Sequence, residues 1–206
     1  MKLVLKKPIS PYEVVQGFGV NGEYYRQHGI NIDGHNGLDL RAYHGQPVYA
    51  AHDGTCYPEV DDKGGHGVVI ISDQKYDYLP GECFFKTIYW HLVDGPSVVQ
   101  TGQKVKAGDL IGYADNTGLS TGDHLHFGLK PVLKNDEPVF SWTSVNPNNG
   151  YLGAINPVPY LELDNFEESV LKVASQVVAD QTQPAENRSK ILEILQFVWK
   201  KLSGSL

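Results

Sequence analysis

The sequence predicts a mainly β fold with a short helical appendage at its C-terminal end, and three observations carry that expectation. Glycine occurs 22 times and proline 12 times against a single methionine, which means many tight turns and few long helices. Over residues 8–133, short β-rich runs are broken at glycine turns. In His124-Leu125-His126-Phe127-Gly128-Leu129 the alternation puts Leu125 and Phe127 on one face and two imidazoles on the other.

Taken in order, Pro47-Val48-Tyr49-Ala50-Ala51 runs into Asp53-Gly54 and out through Thr55-Cys56-Tyr57, which reads as a hairpin. Gly67-Val68-Val69-Ile70-Ile71 is a strand of the fully buried kind, and a loop over residues 72–85 leads to a further strand, Lys86-Thr87-Ile88-Tyr89-Trp90-His91-Leu92. Val105 enters a turn at Ala107-Gly108-Asp109 that Leu110-Ile111 leaves. After a Pro/Asn-rich stretch at residues 146–159 the composition changes. Asp164 and Glu167 resemble a capping box, with Val170, Leu171, Ala174, Val177 and Val178 at helical spacing behind it. A second helix is expected over residues 184–202, striped by Ile191, Leu195, Val198 and Leu202. The expected division is a main domain over residues 1–161 and a helical appendage over 162–206, whose apolar stripe suits packing on the main domain or self-association with a second copy.

Composition narrows the function. The 206 residues are 41% hydrophobic and 11% aromatic, enough to bury a core and to exclude wholesale disorder. A formal charge of −7 without a basic stretch argues against nucleic acid as a partner. The N-terminal apolar run is too short for a secretory signal, and no stretch approaches the ~18 apolar residues of a membrane span. Cys56 and Cys83 form no CxxC pair, and without an export signal free thiols are favoured over a disulfide.

Four of the eight histidines sit in three settings that suggest chemistry: His35 in Gly34-His35-Asn36-Gly37-Leu38-Asp39, His91 in Tyr89-Trp90-His91-Leu92, and the pair His124 and His126. A hydrolytic zinc site needs three protein ligands and one open position for water, and His35, Asp39 and His126 could supply those three. Gly34 and Gly37 make the HxxxD segment a loop entering a strand, so its donors must be brought together by the fold. Positions i and i+2 of a strand point the same way. One imidazole of the HxH pair can therefore bind a metal while its neighbour stands beside the open position, with His91 approaching from the adjacent strand as a second acid/base group.

The order of these elements resembles a known family. Gly17-Phe18-Gly19, His35-xxx-Asp39, the run from Gly45 to Gly54, Gly64-Gly65-His66-Gly67, Tyr89-Trp90-His91-Leu92, the run from Gly102 to Gly112, and Thr117-Gly118-Leu119-Ser120-Thr121-Gly122-Asp123-His124-Leu125-His126-Phe127 look like the M23 zinc metallopeptidases of the lysostaphin/LytM type. The match covers roughly residues 14–140. It implies a compact antiparallel β-sheet of the duplicated-hybrid-motif type with a groove over it, Zn2+ held by His35, Asp39 and His126, and catalytic histidines at His91 and His124. It also implies hydrolysis of stem or cross-bridge peptides in peptidoglycan. A cell-wall substrate without an export signal suggests a phage-associated lysin, delivered by a virion or released at lysis.

The sequence departs from the family in a lengthened loop over residues 73–85, whose Tyr76, Tyr78 and Phe84 are candidates for setting specificity, and in Trp90, where a small residue is usual. Asp123 brings a carboxylate close to His124 in sequence. His28, His44, His52 and His66 read as structural or surface residues. Two rivals stand beside the hydrolase. A biotinyl- or lipoyl-type carrier hairpin lacks its lysine at the turn, and a non-catalytic zinc-containing wall-binding or hydrolase-activating module leaves His91 and His124 without a role.

Overall fold

The computed structural model describes residues 1–135 and 142–163, together with Lys172, Ser189, Glu193 and Gln196. Eleven strands are present among the described residues: β1 (Val14–Gln16), β2 (Leu38–Arg41), β3 (Pro47–Tyr49), β4 (Gly54–Asp61), β5 (Gly65–Ser72), β6 (Tyr76–Tyr78), β7 (Gly81–Leu92), β8 (Lys104–Val105), β9 (Leu110–Tyr113), β10 (His124–Lys134) and β11 (Trp142–Ser144). A short helix α1 (Gly22–Gln27) follows β1. The main sheet runs β1-β2-β10-β7-β5-β4-β8, with β11 added to β10 and β6 to β7, while β3 and β9 form a separate pair. Every pair of named strands is antiparallel.

The two-residue period of β10 sorts the sheet into a core face and a groove face. Leu125, Phe127 and Leu129 are fully buried, together with Leu38 and Leu40 of β2 and Phe85 and Tyr89 of β7. Phe127 and Tyr89 meet with ring centroids 5.3 Å apart. Beneath them the polar groups are satisfied in one chain. The His52 ring donates from Nδ1 to the Asp53 carbonyl at 2.8 Å, and its Nε2 accepts from the Thr87 hydroxyl at 2.9 Å. The Tyr89 hydroxyl accepts the Ala51 N–H at 2.8 Å. His52 is thus a core residue held neutral, and burial pushes its pKa down. The N-terminal segment closes the core with Leu3, Leu5 and Ile9, and Leu5 exchanges backbone hydrogen bonds with Tyr160 and Glu162.

Two sequence expectations are corrected here. Residues 47–57 are not a hairpin: β3 pairs with β9, whereas β4 pairs with β5 and β8. The Asp53 carboxylate is committed to another turn, accepting from the Ala107 N–H at 2.9 Å and from Lys106 Nζ at 2.8 Å. A Cβ on Gly54 would stand 2.3 Å from the Ile71 carbonyl oxygen, so the glycine serves a close strand approach rather than a tight turn. The long loop over residues 73–85 is largely an extension of the sheet, with β6 folding back on the start of β7. Tyr76 and Tyr78 pack their rings on Phe85.

Cys56 and Cys83 are buried free thiols, and burial pushes them up to about 12 and about 11 respectively. No helix among the described residues is long and apolar enough to cross a membrane. Apart from Lys172, Ser189, Glu193 and Gln196, the two C-terminal helices expected over residues 164–202 lie outside the described residues. Because Phe127 is fully buried against Tyr89, Phe127→Ala is expected to cost about 3–5 kcal/mol of unfolding free energy. Urea titration against the intact protein measures it.

Candidate metal centre

His35 reaches the site from the loop ahead of β2 and is clamped there by backbone. Its N–H donates to the Val20 carbonyl at 2.7 Å, and its own carbonyl accepts the Gly19 N–H at 2.8 Å. A Cβ on Gly34 would lie 2.2 Å from the Gly19 carbonyl oxygen, so the missing side chain of Gly34 lets these segments touch. The ring is buried at 1% exposure, with Nδ1 donating to the Gly17 carbonyl at 3.1 Å. That bond fixes the tautomer and leaves the Nε2 lone pair for the site.

Asp39 and His126 are Cα partners across β2 and β10. Register alone therefore places carboxylate against imidazole. The His126 ring has room because position 37 is glycine: a Cβ there would sit 2.7 Å from the ring Cε1 and 2.7 Å from the Phe127 carbonyl oxygen. Three donors then meet, with His35 Nε2 to His126 Nδ1 at 2.9 Å, His35 Nε2 to Asp39 Oδ1 at 3.1 Å, and His126 Nδ1 to Asp39 Oδ1 at 3.2 Å. Ligands about 2.05 Å from a tetrahedral zinc ion stand about 3.3 Å apart. The triangle and its donor types, two imidazole nitrogens and one carboxylate oxygen, could hold such an ion. Burial works against charge on Asp39, but a hydrogen bond from the His126 Nδ1–H, with the His35 ring beside it, holds its carboxyl well below the usual range. Burial pushes His126 down.

His124 and His91 border the same point. His124 lies two residues before His126, with Nε2 3.6 Å from Asp39 Oδ1 and Nδ1 donating to the Gly122 carbonyl at 2.8 Å. His91 arrives by a different device. Strict alternation along β7 would point it to the core face beside Tyr89. Instead β7 carries one extra residue, because Val68 pairs with Tyr89 while His66 pairs with Leu92, and His91 has φ 63°. The bulge turns His91 toward the groove, with its ring centroid 4.5 Å from that of His124. Its Nδ1 donates to the Thr117 carbonyl at 2.6 Å, and burial pushes its pKa down to about 4. Both imidazoles thus carry their proton at Nδ1, which leaves a lone pair at Nε2.

The structure therefore brings together all five residues singled out from the sequence. Asp123 does not join them, since its carboxylate accepts the His44 N–H at 3.1 Å. Of the second partners expected for the two candidate ligand histidines, the Gly17 carbonyl serves His35, and none joins His126 Nε2 among the described residues. His44 and His66 face Asp115 and Asp94 in ion pairs. Sequence reasoning missed Tyr25, which stacks on His35 with centroids 5.8 Å apart and planes 7° from parallel. Burial raises its pKa, and its hydroxyl accepts from the Gln16 amide. It sits on a helix too short for any periodicity to announce. Thr117 acts through its backbone carbonyl, which leaves no residue signature.

The centre lies in a groove with a cavity of about 780 Å³ that Tyr25 and Trp90 help to wall. Trp90 lies over β5, where a Cβ on Gly67 would stand 2.1 Å from the indole. Tyr76, Tyr78 and Phe84 do not line this groove, so the lengthened loop does not contribute its aromatics to the cavity.

The model of peptidase family M23 matches residues 33–141 of the chain. The chain belongs to this family. It is 33% identical over 147 residues, 66% of this chain and 31% of the relative, to the peptidoglycan DD-endopeptidase ShyB of Vibrio cholerae. It is 30% identical over 138 residues, 60% of this chain and 35% of the relative, to the glycyl-glycine endopeptidase ALE-1 of Staphylococcus capitis. The crystal structure of a zinc-containing peptidase from Vibrio cholerae matches with a TM-score of 0.50 and 30% identity over 66% of this chain and 41% of that one. The chain thus spans about a third of the length of these two curated M23 relatives, and the antiparallel fold described above is that of the family.

Two outcomes follow from this geometry. Gly37→Ala is expected to displace the His126 ring while the sheet stays folded, and any Zn2+ held by the three donors should bind at least about tenfold more weakly, given the distances that a tetrahedral zinc ion demands; titration calorimetry with circular dichroism checks both. In the metal-free protein, His91 has a folded pKa of about 4 against about 6.5 when unfolded. The unfolded chain therefore binds the proton first, so this contribution is complete above pH ~6.5 and is lost as pH falls toward ~4. Urea unfolding of the metal-free protein across that window should show a flatter pH dependence for His91→Asn.

Proposed function

We propose that the protein is a zinc-dependent endopeptidase that hydrolyses peptide bonds of bacterial cell-wall peptidoglycan, with His35, Asp39 and His126 as metal ligands and His91 and His124 as catalytic residues. The observation that carries this reading is the pairing of a three-donor triangle, open on one side, with two further imidazoles whose Nδ1 atoms are tied to backbone carbonyls. A filled structural metal site has four protein ligands. Here the open side is bordered instead by two groups suited to proton transfer. The names of ShyB and of the zinc-containing Vibrio cholerae peptidase support the substrate class and the metal.

A zinc ion bound by this set supplies Lewis acidity for a scissile carbonyl and an acidified water. The chain's own part is positioning and proton movement. The Gly17 carbonyl orients His35, and Asp39 balances the charge of the site. With Nδ1–H engaged, neutral His91 and His124 each present a lone pair at Nε2, able to take a proton from a water nucleophile. Once protonated, the same nitrogen can donate to an oxyanion or a leaving amine. The low pKa of His91 keeps its ring neutral near pH 7, with the Nε2 lone pair available. The apolar wall given by Trp90 lets an extended peptide lie along the sheet face.

Purified peptidoglycan incubated with the protein should release new amino termini. Release should stop with chelator and return with added zinc. His124→Ala should lower the rate by about 10²–10⁴-fold while binding the same amount of zinc. Full zinc binding without release from walls of several chemotypes would favour the non-catalytic wall-binding alternative.

A further inference from the structure

The groove face of the main sheet continues beyond the histidines to a second polar patch that the hydrolytic chemistry does not use. Alternation along β10 carries His124, His126, Gly128 and Lys130 on this face, and pairing sets Lys130 directly opposite Lys86 of β7, with Gly128 opposite Ile88 between the two patches. Both lysines line the cavity, as does Glu59 of β4. Lys86 reaches Glu59 Oε1 at 3.4 Å. Lys130, half-buried, makes no ion pair or hydrogen bond among the described residues, and burial followed by the Lys86 charge pushes its pKa down.

Like charges directly opposite on a sheet cost stability, and a half-buried ammonium without a partner costs more. The patch therefore carries two cations against one carboxylate. An anion seated between Lys130 and Lys86 would relieve both costs. The anion must come with whatever fills the groove. Four residues of strand separate Lys130 from His126, roughly 13 Å, and a lysine side chain shortens that span. An extended peptide rises about 3.3–3.6 Å per residue, so the anion lies two to four residues from the bond held at the histidines.

The geometry points to a substrate subsite in which Lys130, flanked by Lys86, binds a free carboxylate carried by the peptide two to four residues from the scissile bond. This rests on the endopeptidase reading above and adds the substrate's chemistry to it. Peptides with a free carboxylate at that spacing are preferred over glycine-only or amidated segments.

The test uses the full chain loaded with zinc and two probes: fluorescently labelled soluble cross-linked wall peptide with its carboxylates free, and the same material with its carboxylates converted to carboxamides. Fluorescence anisotropy measures binding and amine release measures cleavage. The intact protein should bind the carboxylate probe about ten- to a hundredfold tighter than the carboxamide probe, the span expected for a hydrogen bond to a charged group. Lys130→Met should erase that preference, leave carboxamide binding unchanged and keep full zinc stoichiometry, whereas Lys130→Arg should retain most of it. Equal binding of the two probes by the intact protein, or a preference that survives Lys130→Met, overturns the subsite even if both probes are cut. A preference that depends on Lys130 without cleavage of either probe upholds the subsite and overturns the endopeptidase reading. Binding of neither probe overturns the subsite.

Discussion

The pairing of β2 with β10 is the constraint on which the rest of this structure depends. Leu38 and Leu40 of β2 and Leu125 and Phe127 of β10 are buried on one side of that pair. On the other side the same register sets Asp39 against His126. The side-chain period of a strand is two, so a slip of one residue would expose the core leucines and bury the histidines. The free energy that holds the core therefore also holds the donors within 3.2 Å of one another. No separate device is needed to aim these two side chains.

The remaining members of the centre cannot be delivered by regular strand geometry, and each arrives by a local exception. His35 comes from a loop whose close approach to Gly19 needs Gly34, while Gly37 clears space for the His126 ring. His91 comes from a bulge in β7 at a left-handed backbone conformation that few residues other than glycine adopt, histidine being among the more frequent of them. A backbone carbonyl receives Nδ1–H in both cases. Strain of order 1–3 kcal/mol at a single residue is sustainable because Tyr89 and Leu92, on either side of the bulge, are buried in the core.

These two kinds of device explain what could be read from the residues and what could not. The mainly β class, the alternating strand from His124 and the set of five chemistry-bearing residues were legible because they rest on a two-residue period and on short motifs. The strand pairing of residues 47–57 was not, since Asp53-Gly54 has the composition of a hairpin turn while its carboxylate and its missing Cβ serve contacts with residues 107 and 71. The loop over residues 73–85 is a candidate for setting specificity because it is longer than the family's usual turn, yet pairing of β6 with β7 turns Tyr76 and Tyr78 onto Phe85. Tyr25 and the Thr117 carbonyl belong to contacts distant in sequence that only the tertiary structure makes.

The electrostatics of the centre also follow from the order in which costs are met. Asp39 loses hydration on burial, and the His126 Nδ1–H compensates by donating to its charged form, with the His35 ring alongside. A cation bound to the three donors would replace that hydrogen bond with coordination, provided both imidazoles are deprotonated at the coordinating nitrogen. The tautomer of His35 already satisfies this, because its proton is held at Nδ1 by the Gly17 carbonyl. His126 does not, because the Nδ1 that would coordinate carries the proton donated to Asp39, and binding would require its Nε2–H tautomer. The metal-free arrangement is thus close to the geometry that the ion requires, and the rearrangement left to binding is the shift of one proton on His126.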